Sequence, residues 1–196
     1  MVMNWTDEQI TQMRTGRPVY RNDAAGTSLT WLRRGEDTGG EYGLIYGEYD
    51  PGTGVFPHFH RDYVETFRVL GGRGAGKIAG RAVQLGAGEE AVVPRLAVHE
   101  FRASGDRPVR FLVEVRPAHP GFEKWVVTLQ RMAAAGLTTP DGRPKNVHHA
   151  ALVLVESDVN LPGLGRVLMP VFRLLAARAR RRGIAEQLEK HYYRQD

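Results

Sequence analysis

Residues 54–65 read GVFPHFHRDYVE and place His58 and His60 with a single residue between them. Side chains two positions apart lie on the same face of an extended strand, so both imidazoles can reach one ion. Glu65 follows closely enough to return on the neighbouring strand as a carboxylate ligand. Because pairs of this kind are also common in solvated loops, the stretch only suggests a metal site until a further ligand is found.

A second stretch supplies that ligand. Residues 88–94 read GEEAVVP and lead to His99. Together the two stretches resemble the two motifs of the cupin superfamily, in which the first motif supplies two histidines and a glutamate and the second supplies one histidine. The resemblance covers about residues 42–117 and implies one divalent ion held by His58, His60, Glu65 and His99.

Three imidazoles and one carboxylate suit Fe(II), Mn(II), Ni(II) or Zn(II), and ligand type alone does not choose among these ions. We expect Fe(II) as the working ion, with nickel, manganese and zinc as other possible occupants. If the ion is six-coordinate, four protein ligands leave two positions open. We also expect the second nitrogen of each imidazole to be tied to a carbonyl, a carboxylate or water.

The match departs from the family pattern at three places, none of which is a ligand. The first motif is two residues shorter between Gly54 and His58. In the second motif Leu96 stands where glycine is usual, and Ala103 stands where asparagine is usual. Because leucine does not adopt positive φ as readily as glycine, we predict an altered turn ahead of His99.

Short β-rich runs separated by glycine-rich turns fill residues 28–117, as is typical of a sandwich or barrel. The runs are 28–33, 42–49, 64–70, 77–85, 90–93, 99–103 and 109–115. In the last run Phe111, Val113 and Val115 alternate with mostly polar residues, which predicts one buried and one wet face. The predicted fold is mainly β, a cupin-type antiparallel β-barrel (jelly roll) with an N-terminal helical arm and C-terminal helices.

Helical patterns flank the β-rich region. Thr6 and Gln9 have the spacing of a capping box, which predicts a short helical arm. Pro120 can open a helix that Gly136 closes, and a further helical stretch is expected to begin near Pro170, which would start or kink it. A last helix follows Gly183, and the state of the apolar run 150–155 stays open. We therefore divide the chain into a cupin barrel with its arm, 1–117, and a helical extension packed on the barrel, 118–196.

The formal net charge of +5 comes from one segment of the chain. Six arginines and no acidic residue lie between Asp158 and Glu186, and the charge falls to −1 without them. The barrel therefore has no general affinity for polyanions, and we expect no nucleic-acid partner. Three interpretations stay open for the arginine-rich helix: a helix docked on the barrel with solvated arginines, a membrane-surface helix, or a partner-binding helix. The first is the commonest arrangement.

The composition limits the chemistry and the location. The chain has no cysteine, which excludes disulfides, thiolate ligands and a cysteine nucleophile. No apolar run reaches the roughly 20 residues that a membrane span needs, and the N-terminus lacks the pattern of a secretion signal. We expect a soluble, cytoplasmic protein. The resemblance also implies a homodimer, because cupin barrels often pair through their sheet edges.

Aromatic residues are expected to line a substrate pocket beside the ion. Phe67 shares strand parity with Glu65 and Phe101 with His99, and Phe111 faces inward on its own strand. We add Tyr49 to this set. Such a pocket suits a small apolar or aromatic molecule.

The resemblance implies a metal-dependent oxidoreductase, most simply a dioxygenase. Glu65 serves either as ligand or, after leaving the ion, as catalytic general base. The alternatives are an O₂-independent metal-dependent isomerase or lyase and a non-catalytic cupin that binds a small ligand. The fold itself does not distinguish among these functions.

Overall fold

Ten strands in two antiparallel sheets form the centre of the computed structural model, which describes residues 5–194. The strands are β1 (Tyr20–Asn22), β2 (Thr27–Arg33), β3 (Gly43–Tyr49), β4 (Gly54–His58), β5 (Val64–Gly71), β6 (Gly74–Ile78), β7 (Arg81–Leu85), β8 (Glu90–Val93), β9 (His99–Ala103) and β10 (Val109–Arg116). One sheet has the order β1-β2-β3-β10-β5-β8 and the other the order β4-β9-β6-β7. The prediction of an antiparallel jelly-roll fold with an N-terminal helical arm and C-terminal helices is confirmed.

The two sheets are not hydrogen-bonded into a closed barrel. Within the described chain β1 and β8 are the edges of one sheet, and β4 and β7 are the edges of the other. The jelly roll therefore consists of two sheets with a shared core rather than one continuous barrel. The predicted run 77–85 is likewise two strands, because Ala79 and Gly80 both have positive φ, the backbone that a two-residue hairpin turn requires.

The core between the sheets follows the predicted alternation, but the opposite face of β10 is covered as well. Phe111, Val113 and Val115 are buried in the core between the sheets, where the Phe111 ring contacts Phe101 of the other sheet. Leu112 is also fully buried, in a second cluster with Ile10 of the N-terminal helix. The outer face of β10 is therefore exposed at Arg110 as expected but covered at Leu112, where the N-terminal helical arm packs.

Five helices flank the sheets in the described chain: α1 (Asp7–Arg14), α2 (Pro120–Ala134), α3 (Val147–Glu156), α4 (Leu164–Arg181) and α5 (Ile184–Tyr192). The capping box of α1 is confirmed, since the Gln9 amide donates to Thr6 Oγ1 (3.2 Å) and the Thr6 amide donates to Gln9 Oε1 (2.9 Å). Helix α2 begins at Pro120 as predicted. His119 caps it by accepting a hydrogen bond at Nδ1 from the Phe122 amide (3.0 Å).

Helix α4 starts six residues before Pro170, where the sequence pattern placed its beginning. Gly163 has a φ of 58°, which ends the preceding loop and lets α4 begin at Leu164. Pro170 then lies inside the helix, where it removes the amide that would bond to the Arg166 carbonyl. Both residues are exposed, so water can satisfy this carbonyl. The undecided run 150–155 is part of α3.

Helix α2 joins two cores. Val127 on one face belongs to the core between the sheets, and Trp125 on the other belongs to a helical cluster with Leu152, Ala176 and Leu188. Helix α4 therefore packs among the other helices, whereas the most common arrangement would have placed it on a barrel flank. A division of the chain at residue 117 stays our proposal.

The turn before His99 keeps the backbone of the glycine that Leu96 replaces. Leu96 has a φ of 67°, and its amide donates to the His60 carbonyl (2.7 Å). The expectation of an altered turn is therefore wrong: the hydrogen bond to the His60 loop holds leucine in the left-handed region. Its side chain is 64% exposed, so packing contributes little to this conformation.

We predict that Leu96→Gly raises the free energy of unfolding by about 0.5–1 kcal/mol, because relief of left-handed strain exceeds the entropy that glycine costs. Leu174→Gly is the matched control, since Leu174 is similarly exposed (70%) but lies inside α4. That variant should lower the free energy of unfolding by about 1 kcal/mol. Urea denaturation measures both. Equal destabilisation of the two variants would contradict the strain at Leu96.

Candidate metal centre

Four buried side chains that could hold a metal ion converge at one end of the jelly roll. They are His58, His60, Glu65 and His99, and their ligand atoms all lie within 4.8 Å of one another. Pairing of β4 with β9 sets His58 directly opposite His99. Glu65 lies on the inward face of β5, and His60 follows β4 in a loop. The structure thus brings together the four residues that the two motifs named.

Each imidazole is oriented by a backbone carbonyl. Nδ1 lies 2.7 Å from a carbonyl oxygen in His58, 2.9 Å in His60 and 3.1 Å in His99. The acceptors are the carbonyls of Phe56, Asp158 and Ala97 respectively. Because a carbonyl only accepts, each Nδ1 carries hydrogen, and in the neutral ring each Nε2 presents a lone pair. The geometry therefore matches the expectation that the second nitrogen of each imidazole is tied to a carbonyl, a carboxylate or water.

The lone pairs face a carboxylate at short range. Oε2 of Glu65 lies 2.9 Å from His99 Nε2 and 3.5 Å from His60 Nε2. Two acceptors repel at this distance unless a proton or a cation lies between them. In the described chain Nε2 of His60 is buried without a hydrogen-bond partner. The cluster therefore fits a bound cation, which would satisfy the nitrogens and the carboxylate together.

The protonation states also suit a divalent ion. Burial, followed by the neighbouring His99 and His60, lowers the pKa of His58 to about 3. Burial alone would raise the pKa of Glu65, but His60 and His99 outweigh it and hold this pKa below its ordinary range. Burial acts to lower the pKa of His60, and the charge of Glu65 raises it overall. The site therefore offers an ionised carboxylate, and His60 can exchange a proton for a metal ion.

The segment after α3 clamps the loop that carries His60. The Phe59 amide donates to the Asn160 carbonyl, and the Asn160 amide donates to the Phe59 carbonyl, both at 3.0 Å. Oδ2 of Asp158 accepts from the amides of Arg61 (2.5 Å) and Asp62 (2.9 Å). The Asp158 carboxylate and the paired hydrogen bonds between Phe59 and Asn160 fix the loop. The Asp158 carbonyl then orients the imidazole of His60.

Sequence reasoning missed Asp158 and Asn160. The available signal was weak: turn-forming residues directly after a helix, which do not name a partner. Asp158 has a φ of 54°, a backbone that aspartate tolerates better than most residues, and Asn160 Nδ2 donates to Asp158 Oδ1 at 2.7 Å. The helical extension therefore contributes to the metal site.

A cavity of about 180 Å³ opens beside the ligands, well above the roughly 10–15 Å³ that one water needs. His58 and Glu65 are among the polar residues that line it, and the aromatic rings of Tyr49, Phe67 and Phe111 also line it. Phe101 is not at this surface. It stacks behind Phe67, with ring centroids 5.0 Å apart and planes at 22°.

Helix α2 closes the other side of the cavity, a contribution that sequence reasoning did not foresee. Phe122, Val126, Leu129 and Gln130 line this side. Gln130 donates through Nε2 to Thr27 Oγ1 (3.4 Å), while its Oε1 is buried without a hydrogen-bond partner in the part of the chain described. The cavity wall therefore holds an unused acceptor.

Part of this chain matches a family model of known proteins. Residues 45–115 match the family model of the cupin domain, and this part of the chain belongs to the cupin superfamily. The polyketide cyclase RemF from Streptomyces resistomycificus is 26% identical, with 61% of this chain and 82% of that chain covered and a TM-score of 0.47.

Two further solved structures are similar to this chain. A cupin-2 domain protein from Rhodospirillum rubrum is 23% identical over 52% of this chain and 70% of its own, with a TM-score of 0.46. KdgF from Halomonas is 17% identical, with 48% of this chain and 82% of that chain covered and a TM-score of 0.45. None of the curated proteins compared matches the chain.

We predict that Asp158→Ala weakens metal binding by about 10–100-fold, because the loop that carries His60 loses its carboxylate anchor. Asp106→Ala, in an exposed turn after β9, is the matched control and should bind metal as the wild type does. Competition with a chromophoric chelator measures the affinity for Zn(II) and Fe(II). Unchanged affinity in Asp158→Ala would show that the clamp does not support the site.

Proposed function

We propose that this chain is a metal-dependent enzyme that acts on a small, largely apolar organic molecule, with Fe(II) as the working ion and dioxygenation as the reaction. The observation that carries the proposal is the position of the ligands: His58 and Glu65 line a cavity whose walls are mostly apolar. A substrate in that cavity would lie next to the ion and be shielded from water by the aromatic walls.

The four side chains would hold the ion, and the fit rests on the buried, unpartnered Nε2 of His60 and on the ionised carboxylate of Glu65. A bound Fe(II) would supply Lewis-acid polarisation and electron exchange with O₂. The backbone carbonyls hold the imidazoles in the ligating tautomer. Because Glu65 has a lowered pKa, it suits the role of ligand, and a role as catalytic base would require it to leave the ion.

The set of titratable groups favours an oxygenase over an isomerase or lyase. Among the described residues that line the cavity, the titratable groups are His58, Glu65 and Tyr49. Burial, and then the charge of Glu65, raises the pKa of Tyr49, so its phenol stays protonated and can donate a hydrogen bond. An isomerase or lyase needs a base that is free to move protons, and the cavity offers none besides the ligands.

The lining also favours a class of substrate. Phe67 and Phe111 offer aromatic surfaces for an apolar body, and Gly47 leaves room for the Phe111 ring, which a Cβ at that position would approach to 2.5 Å. The Oε1 of Gln130 is free to accept a hydrogen bond from a hydroxyl or amine. We propose a compact molecule with oxygen atoms that reach the ion and a donor that reaches Gln130.

Two less specific expectations belong to the same proposal. Assembly as a homodimer is supported by the resemblance to cupins that pair through sheet edges. A cytoplasmic location is the second of these expectations.

The test is an oxygen-electrode assay of protein reconstituted anaerobically with Fe(II). Candidate substrates are small bidentate oxygen chelators with an apolar body, and mass spectrometry with ¹⁸O₂ identifies products. We expect O₂ uptake in step with product, label from ¹⁸O₂ in the product, and no reaction without O₂.

Two variants make the assay specific. His99→Ala should lose metal and activity together. Gln130→Leu should keep its metal, because Gln130 is not a ligand, and should raise KM for substrates that carry a hydrogen-bond donor. Turnover that proceeds equally well without O₂ would replace the oxygenase with an isomerase or lyase. A metabolite that binds tightly without turnover, and binds His58→Ala equally well, would leave a binding protein.

A further inference from the structure

The outward face of α4 exposes a row of large apolar side chains. Leu164 is 87% exposed, Val167 73%, Leu168 52%, Val171 52% and Leu174 70%. Their spacing places all five on one side of the helix, and we call this row the apolar stripe. An exposed row of this kind, unlike isolated surface leucines, marks an interaction surface.

Packing of the helix does not account for the stripe. Helix α4 already buries Met169, Ala176 and Ala179, and the last two belong to the helical cluster that attaches it to α2, α3 and α5. The helix thus has a second apolar face that points away from the protein. If the stripe were polar, α4 would stay attached through its buried face and no large apolar side chains would be exposed to water. The stripe is therefore explained only by a partner outside the helical cluster.

The same surface is strongly basic and lacks acidic residues. No aspartate or glutamate occurs between Asp158 and Glu186. Of the six arginines in this interval, Arg180 alone forms an ion pair within the described chain, with Glu156 at 3.2 Å. The five others are exposed. They are Arg166, Arg173, Arg178, Arg181 and Arg182.

Three of the exposed arginines lie in or beside the stripe. Helical geometry places Arg178 and Arg182 in line with the stripe at its C-terminal end and Arg181 beside one of its edges. Arg166 and Arg173 lie on the far side of the helix. Arginine side chains are long enough to keep the guanidinium in a polar layer while the helix beside them enters an apolar one.

We propose that this face docks α4 on an anionic lipid surface. The stripe would enter the boundary between headgroups and acyl chains, and Arg178, Arg181 and Arg182 would contact lipid phosphates. Helix α4 would lie in the plane of the interface. In the described part of the chain no helix is long and apolar enough to cross a membrane.

Charge complementarity separates this partner from two others. A second copy docked through the same face would bring two sets of arginines together with no carboxylate to neutralise them. A nucleic acid would use the arginines but would leave Leu164, Val167 and Leu174 without an apolar contact. An anionic membrane uses both features of the surface.

The test is flotation of the full chain with vesicles of phosphatidylcholine alone or with one quarter phosphatidylglycerol. The wild type should float with the anionic vesicles and not with the neutral ones. Val167→Glu combined with Val171→Glu should abolish flotation. The matched control combines Val19→Glu with Val92→Glu, at positions that are similarly exposed (50% and 53%) but lie far from α4 in the sequence, and should float normally.

A charge series tests the arginines separately. Arg178→Gln combined with Arg182→Gln should weaken binding by roughly 25-fold, since each basic side chain near an anionic surface contributes roughly fivefold. Arg81→Gln combined with Arg107→Gln removes the same charge from exposed positions outside the helices and should have a much smaller effect.

Three results would overturn the proposal. The wild type could fail to float with either vesicle, or the stripe variant could float as well as its control. Alternatively, light scattering could show a dimer that Val167→Glu with Val171→Glu dissociates while vesicles bind no variant, which would assign the stripe to a second copy.

Discussion

A buried carboxylate surrounded by three imidazoles is unfavourable without a shared positive charge, and this requirement explains the arrangement around it. Glu65 lies 2.9 Å from His99 Nε2 and 3.5 Å from His60 Nε2. The carbonyls that accept from Nδ1 keep both nitrogens aimed at the carboxylate. A divalent ion at this point removes the repulsion and converts a costly cluster into a binding site.

The parts of the chain outside the cupin motifs complete that site. Asp158 and Asn160, beyond the matched residues 45–115, fix the loop that presents His60. Helix α2 closes the cavity and supplies Gln130, its one amide side chain. The helical extension therefore shapes both the ligand geometry and the substrate space, and its outer helix α4 presents the apolar stripe to the surroundings.

The four ligands could be predicted because the two stretches that carry them resemble the two cupin motifs, and Phe67 could be placed near them because it keeps the strand parity of Glu65. The contribution of Asp158 could not be predicted, because this residue lies 98 positions from His60 and its turn looks ordinary in sequence. Leu96 adopts a positive φ, which leucine disfavours, because its amide donates a hydrogen bond to the His60 carbonyl. The sequence pattern placed the start of α4 near Pro170, six residues too late. An exposed proline is tolerated inside this helix because the carbonyl that loses its hydrogen bond reaches water.

The most direct measurement is X-ray absorption at the metal edge of protein loaded with Zn(II) or Fe(II). The account predicts a first shell at about 2.0–2.2 Å that contains three imidazoles and a carboxylate oxygen, with the multiple scattering that imidazole rings produce. His60→Ala should remove one imidazole from that shell. A shell of oxygen atoms alone, or an imidazole count that His60→Ala leaves unchanged, would contradict the proposed centre.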